Sequence, residues 1–444
     1  MNRNAAIHTI GCRLNQADSA LICGRLREAG WELVKPDDNS FIDLLIINSC
    51  SVTAAAAQKS RQAARRFKRL HPAAKVVVTG CSAEIDRDSL LNESSIDLVI
   101  GNPGKKKLIE LIESLFADVE PVVSKKISSM DEISGSIFQE STTAQFPFKS
   151  RAFLKIQEGC ENFCSYCIVP YARGPERSRD RDEIIADFKQ LLASGFPEIV
   201  LTGVNICAYH DRGWGLPELI EKLCTFAGEY RIRLSSTEPH PDNLELIEVM
   251  SKNPKICRFL HLALQHGSDT ILKSMNRKYT AADYRRFVQT ARQNIPGIHI
   301  GTDLIVGFPG ETDALFAESC QLVEAMEFAN MHIFSFSPRR GTPAATMPEQ
   351  VSAAEIKARY HILEQIAAES SLKFRNSQLK HCLPVIFEKK RNGICSGWSD
   401  NYINITTNAA NIKLHQIVNI IPNQISSDGL FFNANGIITK FSES

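Results

Sequence analysis

Three cysteines fall within eight residues, in Gly159-Cys160-Glu161-Asn162-Phe163-Cys164-Ser165-Tyr166-Cys167. Three thiolates at C-x3-C-x2-C spacing can hold three irons of a cubic iron–sulfur cluster. Such clusters normally take four cysteine ligands, so a three-cysteine site leaves one iron open to a substrate or cofactor. The competing readings are packed free thiols or zinc. Structural zinc sites pair one C-x2-C with another or with histidines, and no second close cysteine pair occurs in the chain.

A second set of cysteines is spread along the N-terminal third. The apolar runs Ala5–Gly11, Leu44–Ser49, Val76–Gly80 and Asp97–Gly101 alternate with helical patterns. That rhythm predicts a doubly wound parallel sheet. Three runs end alike, in Gly11-Cys12, Ser49-Cys50 and Gly80-Cys81. Strand carboxyl ends share one edge of a parallel sheet, where ligands bind, and helix N-termini there favour thiolates. Cys12, Cys50 and Cys81 can therefore converge. One such cysteine would be a small residue in a tight turn; three in equivalent places favour a second three-cysteine cluster. Cys23 falls mid-helix and reads as core. Lys59–Arg69 carries six cations on one helix, either a solvated face or a surface that contacts phosphates.

The elements that must position the first set follow a linker at 121–150. Six strand-like runs, Phe153–Glu158, Ile199–Val204, Ile232–Ser236, Phe259–Gln265, Ile298–Phe308 and Met331–Ser337, alternate with helices. They predict a partial (β/α)6 barrel with active residues at the strand carboxyl ends. Those ends are polar or glycine-rich. From them Gly203, Asn205, Glu238, Gln265 and Gly307 are candidate cofactor contacts, with His266 and His240 read as structural. Arg173, Arg177, Arg179, Arg339 and Arg340 are expected at the barrel mouth, as a solvated rim or a grip on phosphates. A long helix is expected from Ala353 to about Arg375. The short β runs Leu383–Glu388, Tyr402–Thr406, Ile417–Ile421 and Leu430–Asn433 then predict a small antiparallel barrel over 378–444, in which Trp398 and Tyr402 either stack bases or fill the core.

The domain reading is thus α/β throughout: 1–120 with the second cysteine set, linker 121–150, barrel 151–377 and β domain 378–444. The chain has 444 residues, 51 basic against 50 acidic, for a net charge of +1, so no global field attracts nucleic acid and any such contact is local. Thirteen cysteines, an odd number without an apolar leader, point to reduced thiols and a cytoplasmic location. No apolar run reaches the length of a membrane span.

Together these segments resemble the radical S-adenosylmethionine methylthiotransferases over nearly the whole chain. The resemblance rests on Thr9-Ile10-Gly11-Cys12-Arg13-Leu14-Asn15-Gln16, Glu158–Cys167 with Tyr171-Ala172-Arg173-Gly174, Asp303–Thr312, and the stretch around Asp400-Asn401-Tyr402, which looks like a TRAM domain. It implies two 4Fe-4S clusters, one held by Cys160, Cys164 and Cys167 that cleaves S-adenosylmethionine to a radical. The other, auxiliary cluster would be held by Cys12, Cys50 and Cys81 and carry the sulfur to be inserted. Tyr166 would pack beside the adenine of S-adenosylmethionine.

Tyr171–Arg179, Ser337–Pro343, Val52-Thr53 and Gln58–Arg61 most resemble the branch acting on threonylcarbamoyladenosine-tRNA. The implied partners are the tRNA anticodon stem-loop, an electron donor such as flavodoxin or ferredoxin, and a sulfur source. Alternatives are isopentenyladenosine-tRNA, a ribosomal-protein Asp, or a non-catalytic iron–sulfur RNA-binding or redox sensor.

Overall fold

The computed structural model describes residues 3–36, 41–51, 54–117, 137–138, 150–238, 244–408, 412–426, 432–433 and 438–439. The chain forms two compact units. One comprises Met1–Asp180, Thr202–Val204 and Ser337–Ala345; the other comprises Arg181–Leu201, Asn205–Phe336 and Thr346–Ser444.

The first unit is built on a parallel sheet of β1 (Asn4–Thr9), β2 (Glu32–Val34), β3 (Leu44–Ser49), β4 (Lys75–Gly80) and β5 (Leu98–Ile100), in the order β2-β1-β3-β4-β5. β3 is buried at all of its positions, as expected for a strand covered on both faces. Its side chains alternate. Leu44 and Ile46 pack with Ile22, Leu26 and Leu108 on one face, while Leu45 and Ile47 pack with Ala64, Phe67 and Leu90 on the other. The helices α1 (Arg13–Glu28) and α2 (Ala54–Leu70) thus cover opposite faces, which is the doubly wound arrangement. The four expected runs are strands. β2 was not foreseen, because Glu32-Leu33-Val34 is too short to stand out from its surroundings.

The linker expected at 121–150 lies almost wholly outside the described residues, as do Val52-Thr53 and His240. Within it, Ile137–Phe138 pairs in parallel with Arg177–Arg179, which also pairs with Gln157–Glu158.

In the second unit, strand Glu198–Thr202 pairs in parallel with Arg231–Leu234. Ser236–Thr237, Phe259–Leu262, His299–Val306 and Asn330–Ser335 form a four-stranded parallel sheet. Helices Leu216–Cys224, Leu244–Lys252, Ala281–Asn294 and Asp313–Met326 alternate with these strands. All six expected barrel runs, including Arg151–Lys155 with Gln157–Glu158 in the first unit, are strands. The long helix spans Ala353–Gln378, begun by a Ser352–Glu355 capping box that satisfies orphan N–H groups.

The C-terminal strands form one seven-stranded half-barrel sheet, antiparallel except where Asn404–Thr407 meets Phe432–Asn433. Strand Ile394–Ser399 was missed because its sequence, Ile-Cys-Ser-Gly-Trp-Ser, reads as a turn. Conversely, Tyr402 was expected to start a strand, but it has φ of 58° and the strand begins at Asn404.

Burial holds the strands of this unit to its tail through charge. Glu198 is fully buried between two guanidiniums. Its carboxylate accepts from Arg231 Nε at 2.5 Å and from Arg233 Nε at 2.9 Å. The remaining arginine donors go to the carbonyls of Pro384, Trp398, Ser399 and Asp400. Removing one partner of a buried ion pair costs about 3–5 kcal/mol, because the other charge is left uncompensated. Glu198→Ala should therefore lower the thermal unfolding midpoint strongly. Exposed Glu248→Ala, which loses only a surface pair with Lys252, should barely move it.

Candidate iron–sulfur sites

The three N-terminal cysteines stand where the strands end. Cys12 is the N-cap of α1, Cys50 follows β3, and Cys81 is the first residue of the short helix Cys81–Ile85. Their loops are tied together. Asn15 Nδ2 donates to the carbonyls of Ile10 and Ser49 at 2.8 and 2.9 Å, and Ser82 Oγ donates to the Cys50 carbonyl at 2.7 Å. Gly11 has φ of +119°, and a Cβ there would fall 2.8 Å from Cys50 Cβ and 3.2 Å from its sulfur. Only glycine lets the Cys12 loop approach Cys50 so closely. Burial pushes the Cys12 thiol up although its residue is open on one side. Arg173 opposes that, and neighbouring Cys81 reinforces it. Cys81 lies near enough to act on Cys12, and Gly11 carries the Cys12 loop onto Cys50. Among the described residues no three His, Cys, Asp or Glu side chains are arranged to hold a metal ion, but three cysteines on adjoining loops are the donor set of an iron–sulfur cluster with one open iron.

The second set lies in the same unit. Cys160 N donates to the Gly174 carbonyl at 3.1 Å, and Cys167 N to the Cys164 carbonyl at 2.9 Å. Gly159, at φ +75°, lies so tightly under Gly174 and Pro175 that a Cβ would overlap the Pro175 carbonyl. Cys164 is buried while Cys160 and Cys167 are half-buried, so the loop turns one side outward. Its aromatic Phe163 is exposed, edge-on to Tyr171 at 6.1 Å. The segment Ser337–Ala345 meets the loop through Ala344 N and the Ser165 carbonyl, 2.8 Å apart.

Four charged side chains, Asp18, Lys155, Glu158 and Arg173, are buried beside these loops, with half-buried Lys105 at their edge. Arg173, 3% exposed, donates through Nη1 to Glu158 Oε1 at 2.7 Å, through Nη2 to Asn15 Oδ1 at 2.8 Å, and through Nε to Cys81 Sγ at 3.3 Å. Asp18 accepts from Lys105 and Lys155, and Lys155 also reaches Glu158. Burial alone would raise both carboxyls. The cations overcome it, Arg173 and Lys155 holding Glu158 at about 2, and Lys105, Lys155 and Arg173 holding Asp18 well below its usual range. This corrects the expectation for Arg173, which is neither a solvated rim nor a phosphate grip. Arg179 and Arg339 are buried too, Arg339 facing Asp86 at 3.4 Å, whereas Arg340 is exposed. The signal available in the sequence was Asn15 and Asp18 at i, i+3, two polar residues that share one face of α1.

The candidate cofactor contacts fall as follows. Tyr166 is half-buried between Cys164 and Cys167. Gly203 packs on Gln157, whose Oε1 accepts from Val204 N at 2.9 Å. In the second unit, Asn205 and Glu238 come together at 3.5 Å, with Glu238 also paired to Arg277 at 3.1 Å. Gln265 joins the parallel ladder through its backbone, to Asp303 and Ile305. Gly307 lies against Ile356, with its N–H on the Glu311 carboxylate. His266 is buried, its Nδ1 accepting from Ser268 N. Trp398 and Tyr402 stack at 4.6 Å, and Tyr402 packs on Phe259 and under the Arg233 guanidinium.

The depressed carboxyl makes a pH prediction. A carboxyl held at about 2 when folded, against an ordinary 4.5, contributes stability that is complete above 4.5 and lost as pH falls toward 2. The destabilisation caused by Glu158→Gln, read from urea midpoints of the cluster-free chain, should therefore shrink between pH 5 and pH 2.5. A constant penalty would contradict the buried pairing.

Residues 4–101 match a model described as uncharacterized protein family UPF0004, and residues 154–323 match the radical SAM superfamily. The chain is 36% identical over 404 residues to the threonylcarbamoyladenosine tRNA methylthiotransferase MtaB of Thermotoga maritima, covering 90% of each protein. It is 34% identical over 397 residues to the tRNA-2-methylthio-N(6)-dimethylallyladenosine synthase of Jannaschia sp., covering 88% of this chain and 84% of that one. Its fold is shared with the radical S-adenosylmethionine methyltransferase TsrM of Kitasatospora setae, with a TM-score of 0.54, 16% identity, and 78% of this chain and 75% of that one covered. The chain belongs to the radical S-adenosylmethionine methylthiotransferases, enzymes that work with S-adenosylmethionine and 4Fe-4S clusters.

Proposed function

We propose that this enzyme inserts a methylthio group at C2 of N6-threonylcarbamoyladenosine at position 37 of tRNA, beside the anticodon. The observation that carries the reading is the pairing of two three-cysteine sets in one compact unit, laced together by one buried charge cluster. Cys160, Cys164 and Cys167 hold the radical cluster, and Cys12, Cys50 and Cys81 hold the auxiliary one. Clusters and S-adenosylmethionine supply the radical and sulfur chemistry needed at an aromatic C–H that acid–base catalysis cannot open. The chain's own residues orient and shield. The Gly159–Gly174 contact fixes the cysteine loop, and half-buried Tyr166 packs beside the adenine of S-adenosylmethionine in this reading. Asn205, Glu238, Gln265, Gly203 and Gly307 are retained as contacts to S-adenosylmethionine at the strand ends. The domains run 1–120, 151–377 and a TRAM-like 378–444, in a cytoplasmic enzyme fed by a flavodoxin or ferredoxin and a sulfur source. Among the described residues no helix is long and apolar enough to cross a membrane.

The tRNA surface includes α2. Arg65 pairs with Glu93 and Lys68 with Asp97, but Lys59, Arg61, Arg66 and Arg69 have no carboxylate partner among the described residues. Lys59 and Arg66 line a groove of about 710 Å³ together with the apolar Ile10, Phe67 and Leu70. Cations beside apolar side chains suit a phosphate backbone with an unstacked base. The second reading is isopentenyladenosine as substrate base, favoured by the near-equal identity to the dimethylallyladenosine enzyme.

Mass spectrometry of nucleosides from a host lacking its own methylthiotransferases and expressing this chain tests the assignment. The expected product is methylthio-threonylcarbamoyladenosine. Methylthiolation of isopentenyladenosine would move the branch, and no methylthiolated tRNA would overturn the reading. Cys164→Ala should abolish deoxyadenosine release from S-adenosylmethionine, while Cys50→Ala should keep release and lose sulfur insertion. Lys59→Ala with Arg66→Ala should weaken tRNA binding and lower the salt slope by roughly 0.7–0.9 for each phosphate that is no longer neutralised. An unchanged slope would make α2 a solvated face.

A further inference from the structure

Arg173 lies in the segment that follows the C-x3-C-x2-C loop, yet its guanidinium ends among the cysteines of the N-terminal sheet. The helix Val169–Arg173 is anchored at its C-terminal end. Asn102 Nδ2 donates to the Ala172 carbonyl at 2.7 Å, and the Gly174 carbonyl accepts from Cys160 N. From this platform, three directions are fixed at once. Nη1 holds Glu158, two residues before Cys160; Nη2 holds Asn15, whose amide ties the Cys12 and Cys50 loops; and Nε points at Cys81 Sγ. One planar fork thus touches the loops of Cys12, Cys50 and Cys81 and the strand end that leads into Cys160, which a lysine's single ammonium could not do.

The charges around it are unequal. Arg173, Lys105 and Lys155 face Asp18 and Glu158. Three cations against two carboxylates leave positive charge in excess, and the guanidinium edge not turned to carboxylate is the one turned to sulfur. Hydrogen bonds to cluster sulfurs and nearby positive charge stabilise the reduced, more negative state and raise the reduction potential.

We infer that Arg173 is a positioning residue of the auxiliary cluster, donating to the Cys81 sulfur so as to raise that cluster's reduction potential while holding the two cysteine sets in fixed register. The inference rests on the assignment of Cys12, Cys50 and Cys81 to a cluster made under Proposed function.

The test uses the full chain carrying Cys160→Ala, Cys164→Ala and Cys167→Ala, reconstituted without oxygen so that only the auxiliary cluster is present. Iron content is measured first, then the potential by redox titration followed by electron paramagnetic resonance. Added Arg173→Gln should keep the iron and shift the potential to more negative values. Added Glu158→Gln removes a negative charge but leaves the Arg173–Cys81 hydrogen bond, and should shift it the opposite way. A merely structural role for Arg173 would give no shift, or shifts of the same sign in both variants, and either result overturns the inference. Should Arg173→Gln fail to fold, Arg173→Lys keeps the charge and loses the Nε donor. Its expected shift is smaller and in the same negative direction, and an unmoved potential overturns the inference. If the triple-cysteine variant with native Arg173 binds no iron, the cluster assignment itself fails and takes the inference with it. That outcome is distinct from iron bound at an unmoved potential.

Discussion

A guanidinium removed from water must be met by charge and by hydrogen bonds on nearly every donor, or it would destabilise the fold that buries it. Arg173 is 3% exposed, and satisfying it dictates much of the first unit. Glu158 and Asp18 must be ionised and close, so the strand ending at Glu158 and the helix α1 are brought to the same place. Lys155 and Lys105 then answer the second carboxylate. What remains for Arg173 is an amide and a sulfur. The cysteine loops are therefore placed by the same balance that makes the burial tolerable, and site geometry and folding are one problem here.

The second unit solves a similar problem with the signs reversed. One carboxylate, Glu198, sits between Arg231 and Arg233, and the spare donors close on backbone carbonyls of the C-terminal strands. Arg258 adds a pair with Asp400. The Asp400-Asn401-Tyr402 stretch, conspicuous in the sequence, is spent on this joint. Tyr402 lies on Phe259 and beneath Arg233 rather than standing free for a base. A buried polar network of this kind specifies a single docking position, which a purely apolar contact would leave free to slide.

The strands were legible because fully buried parallel strands read as unbroken Val, Ile and Leu runs between turn residues, as in Leu44–Ser49 and Val76–Gly80. Short or glycine-containing strands were not, and Glu32–Val34 and Ile394–Ser399 were missed for that reason. The cysteines were legible by spacing and by their repeated place after a strand. Three of the five arginines expected at a barrel mouth, Arg173, Arg179 and Arg339, are buried instead. Arg173 and Arg339 look like surface residues by type, and nothing local to them announces that their partners are Asp18 and Asp86 far along the chain.

The sequence alone determined the inventory: two three-cysteine sets, the β/α alternation that carries them, and the motifs that place the chain among the methylthiotransferases. These are local properties, written in spacing and in which residues fall at strand ends. The tertiary structure alone decided which charges are buried and whom they meet. An ion pair such as Arg173–Asp18 joins residues 155 positions apart. Its energy depends on how much water the intervening layers exclude, which no single stretch of sequence specifies. That exclusion turned a predicted rim arginine into the residue lying between the two cysteine sets.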